Sequence, residues 1–300
     1  MQPINALSLA PNVKNWLANS HHPHILHVFD HACNLINEHR EVLSVVRQQI
    51  SNGPFNLVIK EDVCFSEHLS LESLISNYSN RLHLGNLTIN TADAKLWMPR
   101  PDWEALHAKK DDILNPIANL EIASSPRSRY APTNTRLLDQ RLLAMTLSQL
   151  PITNYKFSNS LISSLANADL PSSLIATQKI AGLGIGLTPA GDDLIMGAIL
   201  AAWIIHPHEV ASVLAKEITD TAVPLTTSLS AAWLRSAGRG DAGILWHEFF
   251  DALISGDASG IQLQITKLLS VGETSGADAL AGFFGVLSAF NERIIGECPF

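Results

Sequence analysis

Charged side chains are scarce in this chain: Asp, Glu, Lys and Arg make up 16% of its 300 residues, against roughly 25% in an ordinary soluble domain. A surface so poor in charge predicts a protein that hides part of itself against a partner. Basic residues are the scarcer sign, 20 Lys and Arg against 28 Asp and Glu, for a net charge of −8 with no long basic run. That excludes nucleic acid, whose phosphates demand clustered cations, and leaves small molecules or other proteins. Cysteine is nearly absent. Cys33, Cys64 and Cys298 are odd in number and far apart, which fits neither a disulfide framework nor a CxxC metal site and points to reduced thiols in a cytoplasmic protein. The opening MQPINALSLAPNVKNW lacks the basic lead and apolar stretch of a signal peptide. No apolar run is long enough to cross a bilayer, so no membrane partner is expected.

Apolar residues, by contrast, reach 46%, and the length suffices for two domains with sizeable cores. The reading is α+β: a small N-terminal antiparallel β sheet or barrel over residues 1–110, then an all-helical domain over 111–300. Residues 1–24 are polar and turn-rich. The histidines at 21, 22, 24, 27 and 31 could hold a metal, yet no Cys or carboxylate joins them at ligand spacing, and loop is the better reading. HACNLI and EVLSVVR flank Asn37-Glu38-His39-Arg40, as a hairpin would, although one amphipathic helix over 27–50 fits the same residues. FNLVIK follows a Gly-Pro turn, RLHL-GN-LTIN carries a two-residue hairpin signal, and Lys95–Met98 adds a further strand. Residues 67–77 predict a helix. After Pro99-Arg-Pro101 the strand pattern stops. A Ser/Pro/Arg-rich connector at 124–135, with Arg127 and Arg129, leads into helices predicted at 135–150, 158–167, 171–181, 208–222, 243–254, 258–270 and 277–290.

The chain is organised around IAGLGIGLTPAGDDLIMGAILAAWII, residues 180–205. Gly182, Gly184 and Gly186 permit positive φ and close backbone approach. Thr188 and Pro189 read as N-cap and first residue of a helix, with Asp192 and Asp193 favoured in its first turn. Leu194–Ile205 carries no charge, so that helix should lie at the core of the domain. Ala190-Gly-Asp-Asp-Leu-Ile-Met-Gly197 recurs as Ser275-Gly-Ala-Asp-Ala-Leu-Ala-Gly282, so that Gly191, Asp193 and Gly197 match Gly276, Asp278 and Gly282. Two buried helices, each begun by a Gly-Asp turn, should pack together and bring both turns to one place.

A glycine turn at a helix start is an anion cradle, because its N–H groups point outward with the dipole behind them. This one is neither a P-loop nor a dinucleotide fingerprint. Candidate catalytic residues are Thr188, Asp192, Asp193 and Arg235. Candidate anion- or substrate-binding residues are Gly182, Gly184, Gly186, Gly191, Thr226, Thr227, Arg239, Thr274, Ser275 and Asp278. Three acidic groups would repel a dianion unless Mg²⁺ sat between Asp192, Asp193, Asp278 and the anion, or Arg235 and Arg239 supplied the positive charge. His247 is a conceivable base, but a lone helical histidine more often packs. The same glycines and aspartates also serve purely structural ends, as close-packing positions and helix caps.

The segments GLGIGLTPAGDDLIMG, LTTSLSAAWLRSAGRG and VGETSGADALAGF resemble the three signature stretches of the AllH-like family, described as a subunit of bacterial oxamate carbamoyltransferase. The resemblance is strong over about 178–290 and weaker at 31–47 and in GPFNLVIK. Family members often have GPG where this chain has Gly184-Ile185-Gly186. The resemblance implies a role in purine and allantoin catabolism, in which oxalurate and phosphate give oxamate and carbamoyl phosphate, within a heteromeric complex of FdrA-like and AllG-like subunits. Carbamoyl transfer to phosphate needs an anion cradle and donors for the developing oxyanion, which the glycine turn, Thr188, Thr226, Thr227 and Thr274 could supply. A non-catalytic scaffold subunit and a Mg²⁺-dependent nucleotide- or phosphate-binding enzyme are the alternatives.

Overall fold

The computed structural model describes residues 3–114 and 155–297. Arg127, Arg129, Cys298 and the helix expected at 135–150 lie outside the described residues. The chain divides into two compact units, residues 1–99 with 242–244, and residues 100–241 with 245–300.

The first unit carries a nine-stranded sheet. In chain order its elements are β1 (Ile4–Leu9), α1 (Pro11–Asn19), β2 (His24–Val28), β3 (Ala32–Ile36), β4 (Val42–Arg47), β5 (Asn56–Ile59), α2 (Phe65–His68), β6 (Ile75–Tyr78), β7 (Arg81–Leu84), β8 (Leu87–Asn90) and β9 (Lys95–Leu96). The strand order is β2-β3-β4-β5-β1-β8-β7-β6, with β9 also on β1. Most pairings are antiparallel, but β1 runs parallel to β8 and β9, and β4 parallel to β5, so the sheet is mixed. Its core is Leu35, Leu43, Leu57, Ile59, Phe65, Leu82 and Ile89, all sealed from solvent.

The polar, turn-rich first 24 residues hold a strand and a helix. Ile4, Ala6 and Leu9 face inward from β1, and Pro11, whose fixed φ suits a first helical turn, starts α1. That helix buries Val13 and Trp16, and the indole N–H of Trp16 donates to the Glu41 carbonyl at 2.9 Å. Between 27 and 50 the hairpin prevails over the helix. The Asn37 side-chain oxygen accepts the N–H groups of His39 and Glu41 at 3.0 and 2.9 Å, and Arg40 takes φ +59°, which closes the turn between β3 and β4. The RLHL-GN-LTIN hairpin forms as expected, with Gly85 at φ +52° and Leu84 opposite Leu87. The helix expected over 67–77 stops at His68, and residues 75–78 instead pair with β7. Ser79 and Asn80, both at positive φ, make a two-residue turn there that matches the strand twist.

The second unit is helical: α3 (Trp103–Ala108), α4 (Tyr155–Ala166), α5 (Leu170–Ile180), α6 (Ala190–Ile205), α7 (His208–Ala222), α8 (Ser228–Gly238), α9 (Ile244–Ser255), α10 (Ala258–Leu269) and α11 (Ser275–Glu297). α6 is buried all round from Leu194 to Ile205, apart from the half-buried Met196 within its first turns. It packs against α11 at backbone contact. A Cβ placed on Gly197 would lie 1.8 Å from the Ala279 carbonyl oxygen, and one on Gly282 would lie 2.0 Å from the Leu194 carbonyl oxygen. These four residues are matching pairs of the sequence repeat, so the two helices cross reciprocally. Trp246, Phe249, Phe250, Phe283 and Phe284 fill the space beside them in tilted and edge-on contacts. Among the described residues no helix is long and apolar enough to cross a membrane.

Candidate functional site

The glycine segment forms the loop between α5 and α6. Gly182, Gly184 and Gly186 take φ of +71°, +130° and +96°, a region that side chains with a Cβ avoid. Gly182 of the loop and Gly191 in the first turn of α6 are also pressed against backbone: a Cβ on Gly182 would sit 2.1 Å from the Leu225 carbonyl oxygen, and one on Gly191 2.0 Å from that of Ile180.

Asp192 holds this loop from beneath. It is 1% exposed. Its Oδ1 accepts the Gly182 N–H at 2.8 Å, and its Oδ2 accepts the Ser230 hydroxyl at 2.7 Å and the Thr226 hydroxyl as well. Three donors thus satisfy one buried carboxylate, joining the loop, the segment before α8 and α8 itself. Thr227 caps α8 by accepting the Ser230 N–H at 3.1 Å and donates its hydroxyl to the Leu187 carbonyl at 2.6 Å, pinning the far side of the loop. Asp192, Thr226 and Thr227 therefore act as braces.

Thr188 does not cap α6. The cap position falls on Pro189, which makes no side-chain bond. The N–H groups of Asp192 and Asp193 turn back to the Pro189 carbonyl at 2.9 and 3.2 Å, and that of Gly191 goes to Leu183 at 2.9 Å. The Thr188 hydroxyl is left to reach the Ser275 hydroxyl, at the start of α11, at 2.9 Å. The two Gly-Asp turns consequently meet.

At their meeting lie Asp193 and Asp278, 6% and 5% exposed. The Oδ2 of each is buried with no hydrogen-bond partner. Burial pushes the Asp193 carboxyl up to about 8, the charges of Asp278 and Asp192 add to the effect, and the facing hydroxyls of Ser275 and Thr188 oppose it. Burial likewise raises the Asp278 carboxyl, against the Thr274 hydroxyl beside it. Near neutral pH, Asp193 is mainly a carboxylic acid. Among the described residues no three carboxylate, imidazole or thiol groups gather as a cation site. Of the three acidic groups considered for Mg²⁺, Asp192 already has both oxygens occupied by donors.

Above the acids, Leu183, Gly184, Ile185 and Gly186 are exposed, Ile185 at 97%. Among the described residues the N–H groups of Gly184, Ile185, Gly186 and Leu187 meet no acceptor. Arg235 is two turns into α8, about 12 Å along the axis from Thr227 at 1.5 Å per residue. Arg239 lies past the end of α8, exposed, with its Nε 3.2 Å from Asp241 Oδ2 and its carbonyl accepting Arg100 at 2.6 Å. Ser230, absent from the sequence candidates, belongs to the Asp192 brace; its spacing from Thr227 on one helix face is the signal that could have found it.

The described part of the second unit is thus helical, and its repeated helix-start motif joins a run of unused N–H groups to a pair of buried carboxyls. Residues 180–287 match the family model described as oxamate carbamoyltransferase subunit AllH, and residues 5–96 match the AllH family N-terminal domain. The chain belongs to the AllH family. No solved structure matches it.

Proposed function

We propose that this chain is a subunit of an oxamate carbamoyltransferase-type complex. The complex transfers the carbamoyl group of oxalurate to phosphate, giving oxamate and carbamoyl phosphate in allantoin and purine breakdown, with FdrA-like and AllG-like companions. The loop from Gly182 to Thr188 is the seat of the phosphoryl anion, and Thr188, Ser275 and Asp193 line the reacting end. One observation carries this reading: four successive unused N–H groups in a positive-φ loop stand at a helix start beside two buried carboxyls with unpaired oxygens. Successive N–H groups of this kind make a concavity for an anion. The neutral state of Asp193 near pH 7 lessens the repulsion that two carboxylates would exert on phosphate.

The test uses the complex assembled with its companion subunits. Carbamoyl phosphate formed from oxalurate and phosphate is measured with and without Mg²⁺, and again for Gly184→Ala. The parent complex is expected to turn over, and the variant to lose on the order of a hundredfold by displacing oriented donors. If the variant matches the parent, the loop is structural and this chain is a scaffold. Turnover that requires Mg²⁺ and vanishes with Asp278→Asn favours a metal bridging the carboxyls and phosphate.

A further inference from the structure

The paired acids Asp193 and Asp278 raise a question that anion binding alone does not answer. A buried carboxyl oxygen without a partner is costly, and here two of them occur at matching positions of the repeat, on helices locked at backbone contact. The other acid of the cluster, Asp192, is fully satisfied by three donors, so a satisfied acid was within reach of this architecture. The charges that act on Asp193 to raise it are those of Asp278 on α11 and Asp192 on its own helix. The neutral groups facing it are the hydroxyls of Thr188 and Ser275, which both donate and accept. Two carboxyls so placed are most cheaply held with one proton between them.

We infer, resting on the carbamoyl-transfer reading above, that Asp193 and Asp278 are the proton carrier of the reaction, Asp193 giving a proton to the departing oxamate nitrogen and Asp278 taking the one that phosphate sheds. The step balances. An oxygen lone pair of hydrogen phosphate forms the new O–C bond to the ureido carbon of oxalurate. The C–N bond of that carbon breaks with its electron pair on nitrogen, and the nitrogen takes the Asp193 proton to become the amide of oxamate. The hydroxyl proton of phosphate passes to Asp278. The pair begins and ends with one proton, and its return to Asp193 readies the next turnover. An amide nitrogen is a poor anion, so its departure needs an acid at hand, and a carboxyl that stays protonated near pH 7 is suited to give one.

Two measurements on the assembled complex test this. The first follows the carboxylic-acid C=O stretch by infrared difference spectroscopy on either side of about pH 8; the band is expected in the parent and absent in Asp193→Asn. The second compares turnover of oxalurate with turnover of an aryl carbamate, whose phenolate leaves without a proton. Asn has the shape of the neutral acid, so Asp193→Asn is expected to fold. It should slow oxalurate by about 10²–10⁴-fold, remove the alkaline limb of the kcat profile, and slow the aryl carbamate only a few-fold. Asp278→Asn should slow both substrates, since phosphate must shed its proton to either, and should shift that alkaline limb by removing the neighbouring charge. Equal losses on both substrates in Asp193→Asn, an unchanged pH profile there, or full activity in Asp278→Asn overturn the carrier role while leaving the carbamoyl-transfer reading intact. A parent complex that binds phosphate but leaves oxalurate untouched overturns both, whatever the infrared band shows.

Discussion

The hydroxyls of Thr188 and Ser275 are hydrogen-bonded at 2.9 Å, although 87 residues separate them in sequence. This bond ties the turn before α6 to the first residue of α11, and both hydroxyls face the Asp193 carboxyl. Thr188→Ala and Ser275→Ala should each lower stability by about 1 kcal/mol, the usual worth of one half-buried hydrogen bond. Because each change removes the same bond, the double variant should cost less than the two added together, by about 0.5–1 kcal/mol. Urea unfolding of the four proteins measures this. Additive losses would mean that the bond contributes nothing.

A sharper demand falls on Gly197 and Gly282. Each lies within about 2 Å, at its absent Cβ, of a carbonyl oxygen on the opposite helix, and backbone cannot turn aside as a side chain can. Alanine at either site should push α6 and α11 apart and cost about 3 kcal/mol or more, the scale of severe overpacking. At Gly186 nothing lies within 4 Å, so alanine there meets only its φ of +96° and should cost about 1–2 kcal/mol. Thermal unfolding midpoints should fall further for Gly197→Ala and Gly282→Ala than for Gly186→Ala.

The pairing of these helices is legible in the sequence because a repeat with matched glycines has few physical uses other than close approach. The meeting of the two Gly-Asp turns follows from it. Where the sequence misleads, the reason is local. Thr188 looks like a cap because threonine before proline usually is one, yet a partner on a distant helix claims its hydroxyl. Asp192 and Asp193 are adjacent and chemically alike, but successive helical residues point about 100° apart. One therefore turns into a nest of donors and the other toward Asp278, a division that no local pattern encodes. Residues 4–9 give no strand signal because INALSL mixes small and polar residues, and only pairing with β5, β8 and β9 makes it a strand. Residues 75–78 fall into a helix reading for the same reason, with the deciding partner, β7, lying outside the segment.

The raised Asp193 carboxyl makes stability depend on pH in a fixed direction. Unfolded, an aspartate loses its proton near its ordinary value of 3.8, whereas folded Asp193 keeps its proton up to about 8. Between those values the folded state binds the extra proton, so stability falls as pH rises and levels off above about 8. Asp193→Asn removes this dependence. The variant should match the parent near pH 4 and exceed it increasingly toward pH 8, by up to a few kcal/mol, since a proton held across one pH unit is worth about 1.4 kcal/mol. Denaturant midpoints of parent and variant across this range give the result. A difference that is flat with pH would show that Asp193 ionises as freely in the folded protein as in the unfolded chain.

Arg239 and Gly184 separate the two ways in which the turn could hold an anion. If arginine supplies the positive charge, removing it from a charge-assisted pair costs about 2–3 kcal/mol, or on the order of a hundredfold in affinity. The structure gives Arg239 other employment, at the far end of α8, with its Nε on Asp241 and its carbonyl taken by Arg100. Gly184 stands within the run of unused N–H groups, and alanine there would meet the Ala190 amide nitrogen at 2.6 Å while straining a φ of +130°. Phosphate binding to the assembled complex, followed by calorimetry, should therefore weaken at least tenfold in Gly184→Ala and stay within about twofold of the parent in Arg239→Ala, since about 1.4 kcal/mol corresponds to a factor of ten. The opposite ranking would place the charge of Arg239 at the anion and require α8 and its flanking loop to rearrange when phosphate binds.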